Sequence, residues 1–258
     1  MFNPILTDEE NYALTLRELY ASKGCKFYRM SRFEEYDFYA GKKDFLSSGA
    51  ILTFTDIDGR LMALRPDVTL SIIKHASPGK YYYYEKVYRP KASGSFREIP
   101  QCGIEFTAPG ASDLEEVLRL AVMSLHSVAD GRKCVLDVAD AGLVAQYIPQ
   151  DRKALILQYL SAKNIHGLHD INAPAEIIHL AELSGSFDGL TGLEEYGEEI
   201  RTDYSAVTTL SYYSGLVFKG YIEGIPEAVL SGGQYSVDGV SGVGFAVYLD
   251  AVTGGKSE

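Results

Sequence analysis

The sequence predicts an α+β fold, an antiparallel sheet flanked by helices, and three observations predict it. Strand pairs joined by turn signals fill the first hundred residues. A clearly amphipathic helix follows, and strand-like segments return near the end. Hairpins first, helices to one side and strands again is the order of an α+β chain, not of alternating βαβ units.

Each element has its own signal. Thr7-Asp8-Glu9-Glu10 is a capping box, Leu14, Leu16, Leu19 and Tyr20 follow at helical spacing, and Gly24 closes a helix over 7–22. The alternating stretch from Lys26 to Tyr39 reads as a strand leading into a short helix. Asp56-Ile57-Asp58-Gly59-Arg60 is a hairpin signal between strands at 51–54 and 61–64. Pro66 precedes a helix from Asp67 to His75. The run Tyr81 to Arg89 is a strand, Pro90 to Ser95 a loop, and Phe96 to Phe106 a second strand. Leu114, Val117, Leu118, Ala121, Val122 and Leu125 share one face of a helix over 114–128. Cys134 to Val138 is a strand. Residues 140–200 carry short helical patterns without strand periodicity, which predicts a small helical insertion. Strands are expected again at 206–210, 215–221 and 228–230, then a glycine-rich turn, then a last segment from Val243 to Leu249.

The 258 residues are 46% hydrophobic and 12% aromatic, which predicts a single core domain over 1–258 carrying that insertion at about 140–200. Lys and Arg number 24 against 35 Asp and Glu, a net charge of −11, and no basic run breaks the acidic background. A nucleic-acid partner is therefore not expected, because phosphates must be neutralised by a basic face. The chain shows no signal pattern and no apolar run of membrane-spanning length, so a cytoplasmic protein without a membrane partner is expected. Cys25, Cys102 and Cys134 lack CxxC spacing and read as reduced packing residues. His166, His169 and His179 have no completing ligand, so neither a metal nor a cofactor is expected.

Four segments carry candidate chemistry. Arg65-Pro66-Asp67-Val68-Thr69 presents a carboxylate and a hydroxyl at a helix start; its bland reading is an N-cap. In the strand 96–106, Arg97, Gln101 and Glu105 share one face with Gly103, which leaves room for a ligand. The bland reading is a solvated outer face. Thr208 to Phe218 contains Tyr212-Tyr213, which core packing would also explain. Ser231-Gly232-Gly233-Gln234-Tyr235-Ser236 reads as a glycine-rich turn, but lacks the lysine of a phosphate-binding loop.

Taken in order, these segments resemble the class II aminoacyl-tRNA synthetase core, and within it the histidyl branch. Gly24 to Glu34 looks like the dimer-forming first motif, with Ser31 where the family has proline. Arg65 to Thr69 resembles the histidyl Arg-Pro-Glu-x-Thr element, with Asp67 one methylene shorter. Arg89 to Glu105 is similar to the second motif. Tyr212-Tyr213…Val217-Phe218 and Gly232-Gly233-x-Tyr235 look like the two histidine-specific elements, and Gly242 to Val252 sits at the third motif.

The departures fall on the cations. Thr208 and Ser211 stand where the family has arginine and aspartate, Gln234 and Ser236 where it has another such pair, and Ala251 in place of the ATP-gripping arginine. An arginine acting on a transferring phosphoryl group is worth roughly 10³–10⁵ in rate, and a single preorganised donor about 10²–10³. Amino-acid activation is therefore not expected. An anticodon-binding domain is not expected either.

What the amino acid itself would need is kept. The resemblance implies Asp67 and Glu105 for the ammonium of free histidine, Arg89 for its carboxylate, and Tyr213, Gln101 and Thr69 to complete the pocket. This pattern resembles the regulatory subunit of short-form ATP phosphoribosyltransferase. It implies a cytosolic homodimer without chemistry of its own, associated with the short catalytic subunit to activate it and to take part in histidine feedback. Two other classes stay open: a residual class II ligase or synthetase, and a stand-alone histidine sensor or scaffold.

Overall fold

Thr7 caps the first helix as the capping box requires. Its Oγ1 accepts from the Glu10 amide at 3.2 Å, and Glu10 Oε2 accepts from the Thr7 amide at 2.8 Å. In the computed structural model of the protein, the residues described are 3–42, 51–91, 94–110, 113–187, 193–208 and 213–254. The chain forms two compact units, Met1–Ala108 with Ala246–Glu258, and Pro109–Phe245.

In the first unit, α1 (Asp8–Ser22) is followed by β1 (Lys26–Phe27), β2 (Phe33–Glu35), α2 (Tyr36–Ala40), β3 (Thr53–Thr55), β4 (Leu61–Leu64), α3 (Val68–His75), β5 (Gly79–Pro90) and β6 (Phe96–Thr107). A short helix, α9 (Leu249–Val252), returns here from the end of the chain. β1 lies parallel to β5, which pairs antiparallel with β6. A small second sheet runs β2-β4-β3, its hairpin turned at Gly59 with φ +81°. A left-handed φ is what a residue without Cβ adopts without strain.

The β5–β6 hairpin has two differently covered faces. Directly opposed residues share a face, so the pairs Tyr81–Glu105, Tyr83–Gly103, Glu85–Gln101, Val87–Ile99 and Arg89–Arg97 lie together. Helix α3 packs there, burying Val68 and Ile72 against Tyr83, Val87 and Ile99, with Tyr248 at the margin. Each such side chain contributes about 1.5–3 kcal/mol on leaving water. The other face takes α1: Tyr84 donates to Glu9 Oε1 at 2.8 Å, and the Tyr20 and Tyr82 rings lie 6.3 Å apart.

The second unit holds α4 (Asp113–Val128), β7 (Cys134–Asp140), α5 (Ala141–Tyr147), α6 (Lys153–Ser161), α7 (Ile165–Asp170), α8 (Ala175–Glu182), β8 (Gly185–Ser186), β9 (Ile200–Thr202), β10 (Tyr213–Ile222) and β11 (Leu230–Val237). Strand β12 (Val240–Tyr248) carries the chain out of it, and the strand order is β12-β11-β10-β7-β9-β8. Helix α4 presses Leu125 onto β10, so closely that a Cβ on Gly220 would sit 2.7 Å from it. Helices α5 to α8 close a separate core around Val144, Ile156, Leu160, Leu168 and Ile177.

Three expectations need correction. The stretch 140–200 is largely helical, but β8 lies within it and β9 begins at its end, at Ile200. Ile200, Arg201 and Thr202 run parallel to Leu136, Asp137 and Val138, a pairing too short to leave a period. The strand expected at 206–210 is not there among the described residues, because Tyr204–Ala206 is a 3-10 turn stabilised by Asp203 accepting from the Ser205 amide; 209 and 210 lie outside them. The strand expected at 228–230 starts only at Leu230 and continues through the segment read as a glycine-rich turn.

Candidate functional site

The sharp turn before α3 is built from its sequence. Pro66 fixes its own φ and holds Arg65 out of the helical region. Asp67 is then extended, at φ −152°, and caps the helix: its Oδ1 accepts from the Leu70 amide at 2.9 Å. The N-cap reading is thus right for one oxygen. The other, Oδ2, stands 3.8 Å from Arg89 Nη2 on β5. Arg89 is itself held by its Nε, which donates to the Pro66 carbonyl at 3.2 Å. Burial raises the Asp67 pKa, against the Arg89 charge and the amides of Leu70 and Thr69, which favour the carboxylate.

Two residues further, Thr69 Oγ1 donates to Glu105 Oε1 at 2.5 Å. Glu105 is 2% exposed and Gln101 3%, so the solvated-face reading of that row is overturned; only its outer end, Arg97, is exposed. A carboxylate is buried this deeply when donors satisfy it. Tyr83, opposite Gly103, is held protonated well above the usual tyrosine range by burial first, then by the Glu105 and Asp67 carboxylates. Gln101 stands across from Glu85 on the same face.

Arg65 opens the Arg65–Thr69 element but was given no role of its own by sequence, yet its side chain is fully buried. It donates to Ser31 O at 2.5 Å, to Glu85 Oε2 at 2.7 Å and to Lys86 O at 2.9 Å. Its Nε finds no acceptor among the described residues. Leaving a buried donor unpaired costs about 1–3 kcal/mol. An arginine next to proline gives no signal of such burial, because the type is usually exposed.

The structure therefore brings together Asp67, Thr69, Arg89 and Glu105, with Gln101 along the same face. Two carboxylates and one guanidinium under a helix can hold a small zwitterion, offering charge-assisted hydrogen bonds to both of its ends. Tyr213 belongs to the second unit, where it packs against the helical core. It opens β10 across from Tyr235, and its ring fills the place a Cβ on Gly233 would take, 2.6 Å from Cδ1. Tyr212 and Ser211 lie outside the described residues.

The glycines at 232 and 233 serve packing. A Cβ on Gly232 would lie 2.3 Å from Gly244 O and 2.5 Å from Phe245 Cβ. The actual turn is Asp238-Gly239, both at positive φ, a two-residue hairpin signal that the neighbouring glycines obscured. Gln234 Oε1 accepts from the Leu216 amide at 2.9 Å, at the irregularity in β10 between Tyr213 and Val217. That contact repairs the backbone of a bulge. Thr208 is exposed on a shallow open groove of about 530 Å³ beside Lys153, Gln158 and Ser161. Ala251 sits in α9. The three cysteines are buried and form no disulfide among the described residues, and no His, Cys, Asp or Glu group suited to a metal occurs among them. No described helix is long and apolar enough to cross a membrane.

Several known proteins are similar to this chain. The family model described as histidyl-tRNA synthetase matches residues 5–196 and 174–252. The histidine–tRNA ligase of Methanosarcina acetivorans is 26% identical, over 85% of this chain and 65% of its own length. The ATP phosphoribosyltransferase regulatory subunit of Bacillus mycoides is 27% identical, over 85% of this chain and 64% of its own. The chain thus spans just under two thirds of these curated relatives. Among solved structures, a chain of the ATP phosphoribosyl transferase (HisG:HisZ) complex from Thermotoga maritima superposes with a TM-score of 0.72 at 20% identity. That match covers 94% of this chain and 97% of the other. The fold class expected from sequence, the α+β class II synthetase-like sheet with flanking helices, holds.

Proposed function

We propose that this chain, which belongs to the histidyl-tRNA synthetase family, is a regulatory subunit without catalysis of its own. It binds free histidine and associates with a short-form ATP phosphoribosyltransferase catalytic subunit, activating it and taking part in histidine feedback. Within this reading the chain pairs with a second copy of itself and works in the cytoplasm.

One observation carries the reading. The groups suited to an amino acid are assembled, with Asp67 3.8 Å from Arg89 and Thr69 hydrogen-bonded to Glu105 at 2.5 Å, while the family resemblance aligns alanine 251 and threonine 208 with arginines. Binding an ammonium and a carboxylate needs fixed charges of both signs. Activating a carboxylate with ATP also needs cations aimed at charge that develops on phosphate. Asp67 and Glu105 would meet the ammonium, Arg89 the carboxylate, and Thr69 and Gln101 the rest of the ligand. The regulatory-subunit names and the two-subunit complex among the similar proteins support the partner. Regulation would follow from linkage, since histidine shifts the assembly toward whichever state it binds better.

The direct test mixes the chain with a short-form catalytic subunit and measures ATP phosphoribosyltransferase activity with and without histidine. Activation by the chain, reversed or modulated by histidine, is expected. A catalytic subunit indifferent to the chain removes the regulatory reading. A second reading, residual synthetase activity, has the 26% identity to a histidine–tRNA ligase in its favour. Histidine-dependent exchange of pyrophosphate into ATP would establish it.

A further inference from the structure

Arg65 is a cation that no ligand can reach, wedged between the Ser31–Arg32 segment and strand β5 of the first unit. Its guanidinium donates to Ser31 O, Glu85 Oε2 and Lys86 O, and its backbone is pinned as well: the Arg65 amide donates to Arg32 O at 2.9 Å, and Arg65 O accepts from the Tyr88 amide at 3.0 Å. Five hydrogen bonds therefore fix one residue. The next two residues form the site. Pro66 O accepts from Arg89 Nε, and Asp67 Oδ2 faces Arg89 Nη2. Tyr88, whose amide Arg65 holds, immediately precedes Arg89 on β5.

We infer that Arg65 is a positioning residue: by fixing the Pro66 carbonyl and the β5 register at Tyr88, it sets the direction of the Arg89 guanidinium. In consequence it governs how Arg89 meets a ligand carboxylate, a step that rests on the histidine-binding reading above. The Arg89 side chain is 28% exposed and would otherwise sample many rotamers. Held by Pro66 O at Nε, it keeps its two terminal nitrogens aimed together, as bidentate recognition of a carboxylate requires. Glu85 takes part in the same scaffold, since it receives Arg65 and stands beside Gln101 on the site face.

Only an arginine has the geometry for this. A lysine at 65 keeps the charge opposite Glu85, but a single ammonium cannot reach the acceptors in the planar fork arrangement that joins Ser31, Glu85 and Lys86. Arg65→Lys is therefore the informative variant. The double variant Arg65→Met, Glu85→Met removes the buried pair without stranding either charge, and covers the case in which the lysine fails to fold.

The experiment uses the full chain labelled with ¹⁵N-arginine, the Arg89 Nε–H resonance being assigned by its loss in Arg89→Lys. In the parent chain this proton is expected to exchange slowly with water. In Arg65→Lys, or in the double variant, it is expected to exchange at least about tenfold faster, the equivalent of one lost hydrogen bond. Unchanged exchange in the folded variants overturns the inference, and this readout needs no ligand. Titration with histidine and with histidinol, which lacks the carboxylate, supplies the second arm. Arg65→Lys is expected to weaken histidine by about tenfold and leave histidinol where it was. Equal weakening of both would mean a purely structural role and also overturns the inference. A parent chain that binds neither compound defeats the histidine reading, while the exchange rates still decide the role of Arg65.

Discussion

Thr69 and Glu105 meet through a 2.5 Å hydrogen bond, the hydroxyl of the first turn of α3 donating to a carboxylate buried on β6. The bond joins the two sequence segments read independently as ligand-facing. Glu105→Gln keeps the shape of the site and removes its charge. A charge-assisted hydrogen bond is worth about 1.5–3 kcal/mol, so histidine affinity should fall about 10–100-fold in calorimetry. Thr69→Val should instead appear in stability, lowering it by about 1–3 kcal/mol as Glu105 loses a donor. Wild-type histidine affinity in Glu105→Gln would remove this residue from the pocket.

Asp67 has two jobs that two substitutions separate. Asparagine can still accept from the Leu70 amide, so Asp67→Asn should keep the helix cap, whereas Asp67→Ala should cost about 1 kcal/mol in denaturant unfolding. The charge acts oppositely. Burial raises the folded pKa above 3.8, so the native state holds the proton more tightly than the unfolded chain does. Stability from this group is full at pH below 3.8 and declines as pH rises through the raised value. Asp67→Asn should therefore match the parent in acid and equal or exceed it at neutral pH. A large loss in Asp67→Asn at neutral pH would contradict this assignment.

Sequence legibility followed the range of the forces involved. The capping box at Thr7, the Asp56–Gly59 turn and the β5–β6 hairpin are local and were readable from spacing. Asp67, Thr69 and Glu105 were readable as chemistry, and their type and order carried them to a family. Arg65 was not, because its partners Ser31, Glu85 and Lys86 come from other segments and burial of an arginine is a tertiary event. Gly232 and Gly233 lie in a strand and not in the glycine-rich turn expected of them, since a glycine required by a neighbour's backbone looks the same in sequence as one required by a turn. Tyr213 could be assigned to a pocket only by resemblance; in the second unit it packs beside Gly233 and against the helical core.

Gly232 makes that last distinction measurable. A methyl group at 232 would lie 2.3 Å from a backbone oxygen, which no side-chain rotation relieves. Gly232→Ala should destabilise by about 3 kcal/mol or more, at or beyond the upper end of overpacking costs. Gly41 is the control, with an ordinary φ and nothing within 4 Å of a built Cβ. Gly41→Ala should change the unfolding free energy by no more than about 0.5 kcal/mol. If both variants melt together with the parent chain, β11 and β12 are not packed as described.

Helix α3 carries an opposite electrostatic balance at its far end. Glu34 is buried, which by itself raises its pKa, but hydrogen bonds from Lys74, Ser71 and His75 outweigh burial and hold the value below 4.5. Lys74 Nζ stands 2.9 Å and His75 Nε2 3.3 Å from Glu34 Oε2, both cationic types in the last turn, where the helix dipole also favours positive charge. For a depressed carboxylate the unfolded chain binds the proton more readily, so its contribution is fully present above 4.5 and disappears as pH falls through the folded value. Glu34→Gln should thus lower stability at neutral pH by about 1.5 kcal/mol, the low end for charged hydrogen bonds because Lys74 is partly exposed. The deficit should shrink as pH falls through the lowered folded value and the parent protonates. Asp67→Asn should show the reverse trend over the same range, converging with the parent in acid from the other side. A Glu34→Gln deficit that stays constant as pH falls from neutral into the acid range, until the parent unfolds, would mean that the carboxylate's charge contributes nothing there and that its packing carries the effect.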